Sequence, residues 1–329
     1  MKNIAVLAGG YTSERQISLN SGNQILENID RNLYNAYLID VRKDGFFCIF
    51  NGKEYSVDLN KFAAEIEGKP TKFYYAYLAL HGSPGEDGKV QAWLDMLGIP
   101  YSACDVFSSM ITFNKIAAKK MLADEGIAMA KMAIIRGENP FDVDEIIEKV
   151  GLPCFVKPAT AGSSFGVTKV YEKDKFIDAI NLARTEDTNI IVEEYIKGTE
   201  VSCGVLKTAD YEQVFPVTEI STKNDYFDTE AKYTPGVTNE ITPARISDEL
   251  TAALQAETSR IYDILHCNGI IRIDFIITKN PDGTDHINLL EINTTPGMTA
   301  TSFIPQQVRA AGLSLTDVLT DIIENQFPG

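Results

Sequence analysis

The chain has little with which to bind a soft metal or to staple itself. Its five cysteines (Cys48, Cys104, Cys154, Cys203 and Cys267) are scattered, odd in number and never spaced C-x-x-C. That argues against a disulfide framework or a zinc cluster and for reduced, buried thiols in a cytoplasmic protein. The three histidines (His81, His266 and His286) stand apart, so no histidine-rich metal site is expected either. No apolar run approaches the ~18 residues of a membrane-spanning helix. The opening stretch MKNIAVLAGGYTSER runs straight into Gly-Gly and charge, without the cleavage pattern of a secretory signal. Basic residues are outnumbered, 30 Lys and Arg against 46 Asp and Glu, for a formal charge of -16. Such a surface disfavours nucleic acid, whose phosphates need basic contacts, but it leaves room for an anionic ligand in a locally basic cleft. No internal repeat and no low-complexity segment is present.

What the chain does have is length and apolar content: 329 residues, 44% hydrophobic, enough for two or three domains. KNIAVLAGG reads as a buried strand ending at Gly9-Gly10, followed by the helix SLNSGNQILENI. FYYAYLALHG reads as a second strand, and KVQAWLDMLG as a helix stopped by Gly98. Strand alternating with helix predicts a parallel sheet, with ligands beyond the strand C-termini, here Gly9-Gly10 and His81-Gly82. This first α/β domain is placed at residues 1–107. SSMITFNKIAAKKMLADEG reads as one helix capped by Ser108 or Ser109. The helix FDVDEIIEKVG, the strands PCFVKP and GVTKVY, the helix DKFIDAINLAR and the strand NIIVEEYI form a small central domain, 108–200. The remainder, 201–329, reads as a mostly antiparallel sheet (EVSCGVLK, VFPVTEI, IIRIDFII, INLLEIN) with the helix SDELTAALQAETSRIYDILH. Between its strands runs a long polar loop, STKNDYFDTEAKYTPGVTNEITPA, of a length that is usually functional.

Two of the best strands carry acids in their middles, Asp274 in RIDFII and Glu291 in LLEIN. Alternation puts Arg272 with Asp274 on one face, and Glu291 with Asn293 on one face. An Asp282-Gly283 hairpin turn would pair Pro281 with Thr284, which sets Asp274 opposite Glu291 and Arg272 opposite Asn293. Facing carboxylates repel unless they share a proton, pair with Arg272 or hold a cation. Two carboxylates and an amide oxygen are hard donors, suited to magnesium completed by phosphate oxygens. These four residues alone leave an ordinary solvent-facing cluster equally open.

FVKPATAGSSFGVTKV then places Lys157 at a strand end before Gly162, Ser163, Ser164 and Gly166. Glycines let backbone N–H groups approach phosphate, and hydroxyls add donors. It is not a P-loop, since G-x-x-x-x-G-K-[ST] is absent and a strand follows. In IIVEEYIKGTE, Glu193 lies beside apolar residues and Glu200 follows a glycine turn, positions from which acids can meet an adenine amino group and ribose hydroxyls.

The ordered set of Lys115, VKPATAGSSFGV, VEEYIKGTE, EAKY, RIDF and LLEINTTPGMTATS resembles the ATP-grasp fold. With VLAGGYTSERQISL and ALHG, the whole chain resembles the D-alanine–D-alanine ligase family. That resemblance implies a three-domain ATP-grasp enzyme joining two D-alanines through a D-alanyl phosphate, for peptidoglycan precursor synthesis. A D-alanine–D-lactate ligase and a non-catalytic nucleotide-binding module are the alternatives. It implies that Lys115 and Lys157 neutralise phosphates covered by Ser163 and Ser164. Glu193 and the backbone of Glu194 and Ile196 would meet adenine, and Glu200 the ribose. Asp274, Glu291 and Asn293 would hold two Mg2+ ions, with Mn2+ a possible substitute. Arg272 and the N–H of Gly297 would stabilise the oxyanion. Glu14, Ser163 and Tyr233 would form a set across the first D-alanine, with Ser18 and His81 nearby. Ser302 and Lys232 would meet the second substrate. The EAKY loop, with Lys232 and Tyr233, would close over the site. The resemblance further implies a cytoplasmic homodimer. The chain departs from the family pattern at Ala159-Thr160-Ala161 and at Phe165.

Overall fold

The computed structural model describes residues 1–162, 164–222 and 238–326. Ser163, Lys232, Tyr233 and most of the long polar loop fall outside them. The fold is a three-sheet ATP-grasp arrangement, as the sequence indicates, but the first sheet is mixed rather than parallel. Strand β1 (Lys2–Gly9) lies parallel to β2 (Tyr34–Arg42), across helix α1 (Arg15–Asn28), and to β7 (Tyr75–Leu78). From β2 the chain runs on as an antiparallel meander of β3 (Gly45–Phe50), β4 (Lys53–Asp58), β5 (Ala63–Ile66) and β6 (Lys69–Lys72). The order is β6-β5-β4-β3-β2-β1-β7. Two tight turns cause the meander. Asn51-Gly52 has φ of 49° and 70°, Glu67-Gly68 has 50° and 76°, and such left-handed pairs make two-residue hairpins.

Helix α2 (Lys89–Leu97) ends at Gly98, as expected. The single helix expected next is two, α3 (Val106–Phe113) and α4 (Lys115–Asp124). Asp105 caps the first, accepting from the Ser108 N–H, while the hydroxyls of Ser108 and Ser109 donate to the carbonyls of Leu265 (2.8 Å) and Cys104 (3.1 Å). Asn114 interrupts the run in an extended conformation and caps α4, and the Lys115 N–H goes to the Ala159 carbonyl at 3.0 Å. A tertiary hydrogen bond thus replaces a helical one.

The central unit holds β8 (Met132–Ile135), α5 (Val143–Val150), β9 (Cys154–Pro158), β10 (Thr168–Val170), α6 (Phe176–Ala183) and β11 (Ile190–Glu194), with antiparallel sheet order β10-β9-β11-β8. Its core is Val156 and Val192 against Ile146, Val150, Phe176 and Ile180 from the two helices. The third sheet comprises β12 (Thr199–Lys207), β13 (Glu212–Val214), β14 (Thr218–Thr222), β15 (Thr238–Ile241), β16 (Gly269–Lys279) and β17 (Asp285–Asn293). Its order is β15-β14-β12-β16-β17, with β13 on β12. Helix α7 (Asp248–Ile264) packs on it. Helices α8 (Phe303–Ala310) and α9 (Leu315–Asn325) close the chain and share one core with α1 and the first sheet, where Val318, Leu319 and Ile322 join Ile4, Val6 and Tyr75.

The β16–β17 hairpin sets Asp274 opposite Glu291 and Arg272 opposite Asn293, the pairing read from sequence, but by another route. The turn is longer than two residues. Lys279 pairs with Asp285, and this register, offset by one, continues to Phe275 opposite Leu289. A β-bulge then intervenes, with Leu290 as the extra residue before Glu291. Ile287 and Leu289 face the core, as does Ile292 beyond the bulge. Without the bulge Glu291 and Asn293 would point into that core. The bulge sits where the Leu289 N–H is held by the Ala128 carbonyl at 2.8 Å.

Helix α8 is keyed to the sheet through fully buried Gln307. Its Oε1 accepts the Gly204 N–H at 2.9 Å, and its Nε2 donates to the Ser202 carbonyl and Thr218 Oγ1, both at 3.0 Å. Gly204 leaves the room: a Cβ there would lie 2.5 Å from Ile304 Cδ1. Gln307→Leu strands these groups, each at a cost of roughly 1–3 kcal/mol. The thermal unfolding midpoint should fall by several degrees, and an unchanged midpoint would show that the key is dispensable.

Candidate active site

A cavity of about 600 Å3 lies where the three sheets meet. Its floor is the polar end of the β16–β17 hairpin. Asp274 is buried there and ionically saturated. Arg272 grips it in a fork, Nε to Oδ1 at 2.9 Å and Nη2 to Oδ2 at 2.8 Å. Ser202 of β12 donates to Oδ1 at 2.6 Å, and the Asn293 amide to Oδ2 at 3.2 Å. Glu291 sits opposite on the same face and lines the cavity with Arg272 and Asn293.

The roof carries cations. Lys115, at the start of α4, donates to the Ala161 carbonyl at 2.5 Å. Burial lowers its pKa, and the nearby Glu291 pulls it back up. Four residues on, Lys119 emerges from the same helix face and ion-pairs with Glu193. Lys157 on β9 reaches the other oxygen of Glu193 at 2.7 Å. Burial pushes the Glu193 carboxyl up, but Lys119 and Lys157 outweigh it and bring it down to about 2. Glu193 thus spends both oxygens on lysines. Glu200 contributes to the field that keeps Lys157 charged. Glu194 lies beside Lys131, exchanging backbone and side-chain hydrogen bonds with it. Ile196 is half-buried just beyond β11, and Ser164 is half-buried in the glycine loop with φ of 61°.

The third wall comes from the first sheet. Glu14 is the buried N-cap residue of α1, and its carboxylate does not cap the helix. A Cβ on Gly162 would fall 2.8 Å from Glu14 Oε1, so the glycine loop presses directly on this acid. Arg15 turns away and forks onto Asp40 at 2.6 and 2.8 Å, pinning the Gly9-Gly10 turn beneath Glu14. His81 Nε2 is 3.1 Å from Ser21 Oγ. Burial lowers its pKa against the pull of Glu14. Ser18 is fully buried and both its functions are used, accepting from the Gly9 N–H at 2.8 Å and donating to Ala79 O at 2.7 Å, so it braces this wall and does not line it. On the remaining side Gly297 packs under Ser302, whose Oγ would be 2.9 Å from an added Cβ. Ser302 Oγ in turn meets Thr299 Oγ1 at 2.7 Å.

The structure therefore brings Glu14, His81, Lys115, Arg272, Glu291, Asn293, Gly297 and Ser302 onto one cavity, with Asp274 and Lys157 immediately behind. Sequence reading missed Lys119, Ser202, Glu240 and Glu86. Only Lys119 had a signal, its spacing from Lys115. Glu86 lies on the wall and accepts the Gly82 N–H at 2.6 Å. Burial and the neighbouring Glu14 push its pKa up to about 8.

Comparison with known proteins fixes the family. The D-ala D-ala ligase N-terminus family matches residues 3–104, and the D-ala D-ala ligase C-terminus family residues 121–324. The chain belongs to the D-alanine–D-alanine ligase family. The enzyme class is that of an ATP-dependent ligase. A D-alanine–D-alanine ligase of Parabacteroides distasonis is 50% identical over 328 residues, covering 99% of this chain and 98% of that protein. One of Phocaeicola vulgatus is 47% identical over 327 residues, covering 99% of both. Among solved structures, the Bacillus anthracis ligase complexed with ATP superposes with a TM-score of 0.78 at 30% identity, covering 99% of this chain and 97% of that one.

Two expectations follow for the ligase. Glu193→Gln leaves Lys119 and Lys157 facing each other without their anion, a loss of about 3–5 kcal/mol by analogy with broken buried pairs. Thermal unfolding should show it, and an unchanged midpoint would contradict the ion-pair reading. Glu86 holds its proton in the folded state, so its contribution is fully present below about 4.5 and is lost as pH rises through about 8. The midpoint of Glu86→Gln should accordingly gain on that of the native ligase between pH 5 and 8. A constant difference would mean that Glu86 titrates normally.

Proposed function

We propose that this ligase joins two D-alanine molecules at the cavity, with ATP supplying the phosphoryl group, and so provides the dipeptide for peptidoglycan precursors. The observation that carries the reading is the pairing of Asp274 with Glu291, and Asn293 beside them, beneath a roof of lysines. Cations above and hard oxygen donors below are what a nucleotide triphosphate and its metal require. No cluster of three or more His, Cys, Asp or Glu side chains among the described residues could hold a metal by itself. Glu291 and Asn293 line the cavity and fit Mg2+ whose remaining ligands are phosphate oxygens; Asp274 would join them by exchanging one of its present hydrogen bonds, and Mn2+ would suit the same donors. The metal, when bound, neutralises phosphate charge.

The chain's own residues do the rest. Lys115 and Lys157 hold the phosphates, with Ser163 and Ser164 over them. Glu193, Glu194, Ile196 and Glu200 border the nucleoside. Glu14 takes the ammonium of the first D-alanine, and His81 lies by its carboxylate. That carboxylate attacks the γ-phosphorus and ADP leaves. The amine of the second D-alanine attacks the acyl carbon and phosphate leaves. A carboxylate is a poor electrophile, and phosphorylation supplies its leaving group. Arg272 and the Gly297 N–H face the oxyanion that forms. Ser302 and Lys232 hold the second carboxylate, and Tyr233 closes the set with Glu14 and Ser163. Residues 1–107 serve the first substrate, 108–200 the nucleotide and 201–329 the metal and the second substrate. The enzyme acts in the cytoplasm, as a homodimer.

Phosphate release from ATP and Mg2+ tests this, with D-alanine, with D-alanine plus D-lactate, and with neither. Release should need D-alanine, yield the dipeptide and fall at least ~100-fold in Glu291→Gln, on the scale of losing a key charge-stabilising group. ATP binding without D-alanine dependence would move a regulatory nucleotide-binding module to the front, and depsipeptide as the main product would mark a D-lactate ligase.

A further inference from the structure

Two acids on the cavity have no part in the reaction above: Glu86, beside Glu14 on the N-terminal wall, and Glu240. Glu240 on β15 projects into the cavity, on the wall formed by the C-terminal sheet, near Thr301, Ser302 and Phe303. Its Oε2 accepts from Gln306 Nε2 at 2.5 Å, and the same nitrogen donates to the Thr301 carbonyl at 2.8 Å. Helix α8 thereby fixes the carboxylate against the loop that carries Ser302. Burial raises the pKa of Glu240, while the Gln306 hydrogen bond and Arg272, the residue assigned to the oxyanion, pull it back down. The acid thus shares the cavity with Arg272 and is tied through Gln306 to the second-substrate loop.

A ligand count gives it a task. Two amino acids enter as zwitterions, each with one ammonium and one carboxylate. Glu14 serves one ammonium from the N-terminal wall. The second ammonium needs an acceptor on the opposite wall, where Ser302 awaits its carboxylate, and Glu240 is the acid there. We propose that Glu240 receives the ammonium of the second amino acid, takes the proton it gives up before the free amine attacks, and so makes the site select a zwitterion over a hydroxy-acid anion. A D-lactate molecule carries a net negative charge and offers no cation, so it meets repulsion where D-alanine finds a partner. This rests on the ligase reading of the same cavity.

Three variants separate charge from packing. Glu240→Gln keeps an acceptor for Gln306 and removes only the charge, Glu240→Asp keeps the charge and draws it back, and Glu240→Ala removes both. Each is assayed with D-alanine and D-lactate competing for the second position, and with hydroxylamine to trap the D-alanyl phosphate. Loss of one charge-assisted hydrogen bond corresponds to a ~10- to 100-fold change. The expected result for Glu240→Gln is a rise of that order in the KM for the second D-alanine, with a matching fall in the dipeptide-to-depsipeptide ratio. Glu240→Asp should restore part of the ratio and Glu240→Ala should not. An unaltered ratio and KM in Glu240→Gln, with native enzyme active, overturns the role of Glu240 and leaves the ligase reading standing. Native enzyme that forms neither hydroxamate nor dipeptide overturns the ligase reading itself.

Discussion

Everything at this site depends on satisfying one buried carboxylate. Asp274 faces Glu291 across a strand pair, an arrangement that repulsion between the two carboxylates would open. Three residues on two neighbouring strands and its own prevent this. The Arg272 fork supplies a full positive charge, and Ser202 and Asn293 add hydrogen bonds to the two oxygens. Because Asp274 is satisfied from below and beside, Glu291 is left to face the cavity and Lys115. The helix key at Gln307 matters for the same reason, since it sets the strand that carries Ser202.

The roof uses the reverse arrangement. There a single acid, Glu193, serves two lysines, so the buried group carries a surplus of positive charge. A buried triad of this kind is poorly explained by stability alone, because desolvation opposes it. It makes sense beside a polyanion. The net charge of -16 is thus no guide to this cleft, whose upper wall is locally basic.

Much of this was legible in the chain, and the failures have physical causes. Alternation alone placed Asp274 and Glu291 on facing positions, and the glycines around Ser164 marked a close approach. The register was right although the turn was misjudged, since a longer turn and a bulge cancel. Leu289-Leu290 gives no sign of a bulge, because two leucines read as ordinary strand. The meander of β3 to β6 was missed, although Asn51-Gly52, directly after the apolar run FFCIF, is a strong hairpin signal. The break at Asn114 follows from a carbonyl 45 residues away, at Ala159, and no local pattern encodes it. Ser202, Glu86 and Glu240 acquire meaning only through neighbours distant in sequence. Residues 223–237 of the polar loop lie outside the described structure, and its far end, read as loop, is strand β15, which pairs with β14.

The bulge at Leu290 has a consequence for how this hairpin can vary. It divides β17 into two stretches of opposite parity. Toward the tip, side-chain facing is counted from the turn. Toward Asn293, it is counted from the bulge and from the pairing with β16. The exposed tip, from Pro281 to Thr284, is therefore insulated from the carboxylates by a register joint. Insertions there can lengthen the hairpin while Glu291 and Asp274 stay in place, so the distal end of the strand pair is free to diverge while its catalytic end is held.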